Sequence, residues 1–164
     1  MFSADMRQAE GSRDAAPIEC LNPRKGTWRV RLDITETESG AEWMEHDFDH
    51  RPTAEELRTL YCDWVDESVR QQIEGGMTYE GSTVWLSQEN QMNYMAACLA
   101  NMRITGLLNV TVRLGTSENP VYKTFRSFLS LLDFYRQVQQ HIADCLAAGW
   151  AKKDAFDVEP YLRE

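Results

Sequence analysis

From Gly26 onward the apolar residues of this chain switch between two spacings, and they do so three times. Trp28, Val30, Leu32 and Ile34 alternate with Arg29, Arg31, Asp33 and Thr35, the period of a strand with one buried face. Ser39-Gly40 supplies a turn, and Met44, His46 and Phe48 continue the apolar side of a returning strand. The period then lengthens. Thr53 can cap a helix, with Glu56 completing a capping box, and Leu57, Leu60, Tyr61, Trp64, Val65 and Val69 form its inner stripe until Gly75-Gly76. Tyr79 and Val84 flank a second turn at Glu80-Gly81, Trp85 and Leu86 finish that strand, and Ser87 is placed to cap the next helix. Its inner positions are read as Met92, Met95, Ala96, Leu99 and Met102. After Gly106, Val110, Val112 and Leu114 alternate again, Val121 to Phe125 returns, and Phe128, Leu131, Tyr135, Val138, Ile142, Cys145 and Gly149 step by threes and fours. The pattern predicts an α+β fold of three successive β-hairpin/helix units, with helices packed on one face of an antiparallel sheet. The three units share no convincing sequence identity.

Residues 1–24 lack either period and are polar and small, which predicts a flexible arm. Residues 25–76 then form an acidic hairpin-helix subdomain and 77–164 a second domain, the two making one compact fold. The chain has 164 residues, enough for a single core.

A net charge of -9 opposes the basic footprint of a nucleic-acid binder. The acids cluster: Arg31 to Glu67 holds twelve Asp or Glu against Arg31, Arg51 and Arg58. Cys20, Cys62, Cys98 and Cys145 are scattered without a Cys-x-x-Cys pair and read as reduced thiols. MFSADMRQAEGSRD has no apolar stretch for a signal peptide, and nowhere do about eighteen apolar residues run together. Neither export nor membrane insertion is expected.

Three constellations invite chemistry. His46 and His50, with Asp47 and Asp49, could surround a metal, yet on a strand positions i and i+4 lie about 13 Å apart, too far for one ion. His141 and Cys145, with Asp144, share a helix face, but Cys145 occupies an inner position where a thiol packs, and no oxyanion donor accompanies it. The methionines at 92, 95 and 102 could form an adaptable surface, but their spacing reads as core. Trp28, Trp64, Trp85 and Trp150 also fall on faces a core would use. Trp43, between Glu42 and Glu45, is placed on the opposite side of its strand as a candidate interface anchor. Trp85, Leu86 and Ser87 form a structural joint. No phosphate loop, Gly-x-Ser-x-Gly or His-Glu-x-x-His is present, and no cofactor or catalytic residue is assigned.

Residues 77 to 150, through Tyr79, Gly81, Val84-Trp85-Leu86-Ser87, Gln91, Leu114-Gly115-Thr116 and Leu132 to Tyr135, resemble a domain-of-unknown-function family of bacteriophages and gut-anaerobe prophages. Its members are often encoded near tail-fibre and other virion genes. The resemblance implies a non-enzymatic virion structural or assembly protein, tail- or tail-fibre-associated, found in the virion or the host cytoplasm. It would contact other phage proteins or further copies of itself. The alternative is a small phage accessory protein, either an enzyme with an unrecognised site or an acidic inhibitor of a host protein.

Overall fold

The computed structural model describes residues 6–163. It is α+β, 42% helical and 29% strand. Strands β1 (Arg7–Gly11), β2 (Ile18–Asn22), β3 (Thr27–Glu36) and β4 (Ala41–Phe48) precede helix α1 (Ala54–Glu74). Hairpin β5 (Met77–Tyr79) and β6 (Ser82–Val84) leads into α2 (Gln88–Asn101). Hairpin β7 (Val110–Gly115) and β8 (Pro120–Phe125) leads into α3 (Phe128–Ala155), and a short α4 (Glu159–Leu162) follows. The strands lie in three antiparallel sheets, one of four strands and two of two. The chain divides into two compact units, the first running through Glu67 and resuming at Ala151, the second spanning Ser68–Trp150. The residues after Ala151 therefore belong with the first unit, and not with the domain expected to begin at residue 77.

In the first unit the sheet order is β1-β4-β3-β2, so residues 7–22, expected as part of a flexible arm, supply both edge strands. The first five residues of that arm lie outside the described residues. β1 and β2 hold opposite edges, about 14 Å apart at the usual strand spacing, and residues 12–17 are long enough to cross. Two arginines tie the crossing down. Arg13 donates to the carbonyls of Thr37 (2.5 Å) and Glu38 (3.1 Å) in the β3-β4 turn, and Arg31 donates to Ala16 O at 2.8 Å. One sheet face carries the fully buried Val30 and Leu32, and α1 contributes buried Leu57, Leu60, Tyr61 and Val65. The α1 capping box is reciprocal: Thr53 N–H donates to Glu56 Oε2 (2.8 Å) and Glu56 N–H to Thr53 Oγ1 (3.3 Å).

The second unit has its own core of Tyr79, Val84, Leu86, Tyr94, Leu108, Leu114, Phe125, Leu131, Phe134 and Val138. Phe134 of α3 is its hub. The Tyr79 and Tyr94 rings meet it edge-on at 5.0 and 5.1 Å between centroids, and Phe125 at 5.2 Å with a 40° tilt. Where α1 gives way to β5, Gly76 takes φ +83°, and a Cβ there would stand 2.0 Å from Val84 O. No other residue fits.

Phe134→Ala should therefore remove about 3–5 kcal/mol of stability by opening a cavity among three aromatic rings. Met92→Ala, at an exposed helix position, should change it by less than about 0.5 kcal/mol. Urea unfolding of the two variants against the parent chain measures both.

Candidate functional site

Around Trp85 the alternation of the strand decides which side chains enter the core. Val84 and Leu86 are fully buried, and Trp85 between them points outward, 46% exposed. This corrects the expectation that its indole is core. Trp85 is instead held by a hydrogen bond: Nε1 donates to Gly115 O at 2.7 Å, where Gly115 has φ +79° and Asn119 O lies too close to admit a side chain. Ser87 Oγ accepts from Asn90 N–H at 3.3 Å and caps α2. Asn90 Nδ2 donates back to Trp85 O (3.1 Å), and Gln91 Nε2 to Leu86 O (2.7 Å). The joint thus fixes the start of α2 by polar contacts on every side.

What α2 presents from that fixed start is the unexpected feature. Its buried residues are Tyr94 and Cys98, one turn apart, with Tyr94 against Phe134. Met92, Met95, Leu99 and Met102, expected in the core, are 65%, 43%, 58% and 57% exposed. The spacing is helical on both sides, so periodicity could not choose between them. Aromatic packing did. Ala96 and Ala100 are also exposed, and Ile104 and Leu107 continue the exposed apolar series beyond the helix. No Asp, Glu, Lys or Arg occurs from Asn90 to Met102, although 26% of the chain is charged. That gap was the legible signal, since a solvated helix face ordinarily carries charges. An apolar, methionine-rich and charge-depleted surface on a rigid core has the composition of a protein contact.

The other sequence candidates separate. Trp43 is 7% exposed, and this overturns its placement as a surface anchor. Its ring lies against Gly11 of β1, the Arg31 guanidinium stacks over it at 5.3 Å, and its Nε1 donates to Glu45 Oε2 at 3.1 Å. Glu45 is buried as well, while Glu42 alternates to the opposite side of β4 and is exposed. Burial pushes the Glu45 carboxyl up, but hydrogen bonds from Arg7 and Trp43 and the charge of Arg29 outweigh it and leave it lowered. Asp47 receives a bidentate Arg29 (2.7 and 2.9 Å) and Arg7 Nη2 (2.9 Å). The Arg29 hydrogen bonds hold its carboxyl far below the usual range.

His46 and Asp47 point to opposite faces of β4, His46 packing edge-on against Phe48 at 4.8 Å. His50 lies between Asp49 (2.7 Å) and Glu56 (2.9 Å). Among the described residues no three His, Cys, Asp or Glu side chains gather as metal ligands would. Cys145 Sγ is 3.7 Å from His141 Nε2, yet burial, and then the charge of Asp144, pushes the thiol up rather than toward a thiolate. Trp150 is 60% exposed rather than core, whereas Trp28 and Trp64 are half-buried under Arg51 and Lys152.

A cleft of about 510 Å³ in the first unit includes Asp33, Tyr61, Lys152, Phe156 and Tyr161 in its lining. Its groups answer one another. Lys152 donates to Asp33 at 3.1 Å, Tyr61 stacks on Phe156 at 4.1 Å, and Tyr161 Oη donates to Arg31 O at 2.9 Å. Asp33 has φ +54° at a bulge of β3, a conformation its neighbours hold in place. These contacts fasten the C-terminal segment within its own unit.

No family model, curated protein or solved structure matches the chain. Among the described residues no helix is long and apolar enough to cross a membrane.

Two outcomes follow from these geometries. Trp85→Phe, which keeps the ring and deletes the Nε1 donor to Gly115 O, should lower stability by about 1 kcal/mol, and Ser87→Ala by a similar amount, in urea unfolding. Asp47 is lowered in the folded chain, so its contribution is complete above its unfolded value near 3.8 and is lost as pH falls toward the folded one. Asp47→Asn should cost about 1–2 kcal/mol at pH 7, discounted for partial exposure, with the difference from the parent shrinking steadily below about pH 4. A difference unchanged down to pH 2 would remove the carboxylate charge from the explanation.

Proposed function

We propose that this chain works by binding protein, as a non-enzymatic structural or assembly component of a bacteriophage particle, associated with the tail or tail fibre. The observation that carries the reading is the uncharged apolar face of α2, which starts from the Trp85-Leu86-Ser87 joint and is left uncovered by the described residues. Such a face is unfavourable to leave in water. Met92, Met95, Leu99 and Met102, with Ile104 and Leu107 beyond the helix, together expose on the order of 600 Å² of apolar area, against about 300–600 Å² for the largest patch on a typical monomer. The phage context comes from the resemblance over residues 77 to 150, the stretch that contains α2.

The alternative of an acidic inhibitor has less support. Within Arg31 to Glu67, Glu45 and Asp47 are engaged by arginines, Asp33 and Asp66 by Lys152 and Lys153, and Glu56 by its capping box and His50. A good part of the acidic surface is neutralised internally. The net charge of -9 disfavours nucleic acid as a partner.

Leu99→Glu places a carboxylate at the middle of the α2 face without touching the core. Peptides of the parent chain should be recovered from purified particles or assembly intermediates, and the variant, with an unchanged melting curve, should be depleted from them about tenfold or more. Equal recovery of both chains would remove this face from the function.

A further inference from the structure

The same face has the geometry of a two-fold seam. On α2, Glu89, Met92, Ala96 and Leu99 are separated by three, four and three residues, the spacing of a coiled-coil a/d stripe, and Arg103 stands two residues beyond the end of the helix. All five are exposed. The acid stands at the start of the helix and the base just past its end, the two equidistant in sequence from Ala96, and nothing between them is charged.

We infer that α2 pairs with α2 of a second copy of this chain, antiparallel, about a two-fold axis at Ala96. This rests on the reading of the α2 face as a protein contact and names its occupant. An antiparallel pair centred there sets Ala96 against its own equivalent, Met92 level with Ala100 of the second copy and next to its Leu99, and Glu89 level with Arg103, each contact made twice by symmetry. Ala96 and Ala100 let the backbones approach closely, and Met95 and Met102 border the seam. A parallel pair would set Glu89 against Glu89 and Arg103 against Arg103. Charge complementarity therefore selects the antiparallel register. The apolar side chains of α2 and the residues just beyond it supply on the order of 600 Å² per copy, against roughly 800 Å² per partner in a standard interface. An interface of that size lies at the low end, where transient complexes are found.

Sedimentation equilibrium of the full chain across about 1–200 μM tests the pairing. The parent should pass from monomer to dimer within that range, and Leu99→Glu should weaken the dimer roughly a hundredfold through an unpaired carboxylate in the seam. Glu89→Arg and Arg103→Glu should each weaken it, and the double swap should restore it. Ala96→Cys should yield a covalent dimer on mild oxidation, with the parent, carrying its four native thiols, as the control. A parent that stays monomeric at every concentration, with no crosslink through position 96, overturns the inference. If in that case Leu99→Glu still blocks incorporation into particles, the face docks on a different protein and the functional reading stands. If the variant affects neither readout, both fall. Should the double swap fail to restore a dimer that Leu99→Glu does disrupt, the antiparallel register is wrong.

Discussion

The edge-to-face contact between Tyr94 and Phe134 decides what this protein offers to solvent. A helix lying on a core can bury one stripe, and α2 carries two that qualify. The stripe with Tyr94 and Cys98 wins because a ring of Phe134, Tyr79 and Phe125 is already assembled where it lands, and aromatic contacts of this kind add about 0.5–1.5 kcal/mol each beyond the area they bury. The methionine stripe is thereby turned outward. The exposed face of α2 is thus a by-product of how the second unit satisfies its core.

Rotation of α2 about its own axis would exchange the two stripes, so the start of the helix has to be fixed as well. Val84 and Leu86 anchor the strand that precedes it, but alternation then forces Trp85 out. Its indole Nε1 donates to the carbonyl of Gly115. Gly115 can present that carbonyl because its positive φ closes the β7-β8 turn where Asn119 leaves no room for a Cβ. Ser87, Asn90 and Gln91 then satisfy the backbone groups on either side of the cap. A chain of local requirements carries the orientation of the strand into the orientation of the exposed face.

The three hairpin-helix units were legible because alternation and helical spacing each persist long enough to exclude the other. Other features were not. β1 reads RQAEG, with only Ala9 half-buried, and β2 reads IECLN, whose alternation is only five residues long, and each is an edge strand whose place depends on β4 or β3. What holds them is tertiary: Arg7 to Glu45 and Asp47, Arg31 to Glu19, and Arg13 across the β3-β4 turn. Trp43 is buried for the same reason: the strand that covers it, β1, has no period of its own in the sequence. In α2 the period was read correctly and the buried side wrongly. Spacing gives the angle between residues, and only the partner says which angle faces inward.

Charge sets the conditions under which the exposed face can be used. Two copies of a chain with net charge -9 repel one another. That repulsion reaches far at 0.01 M salt, where the screening length is about 30 Å, and is largely screened at 0.15 M, where it is about 8 Å. The two Glu89–Arg103 contacts of an antiparallel pair act in the opposite sense, but exposed ion pairs contribute only about 0–1 kcal/mol each and are screened over the same range. The apolar seam is indifferent to salt at these concentrations. Long-range repulsion is therefore the term that changes most, and self-pairing through α2 strengthens as salt rises from dilute buffer toward 0.15 M. A contact with a basic partner would weaken over the same interval, because steering and short-range pairing would then have the same sign. On the inferred pairing the acidity of the chain would act as a filter: at low ionic strength it would keep equal copies apart, and near physiological salt it would leave the choice of partner to the uncharged face of α2.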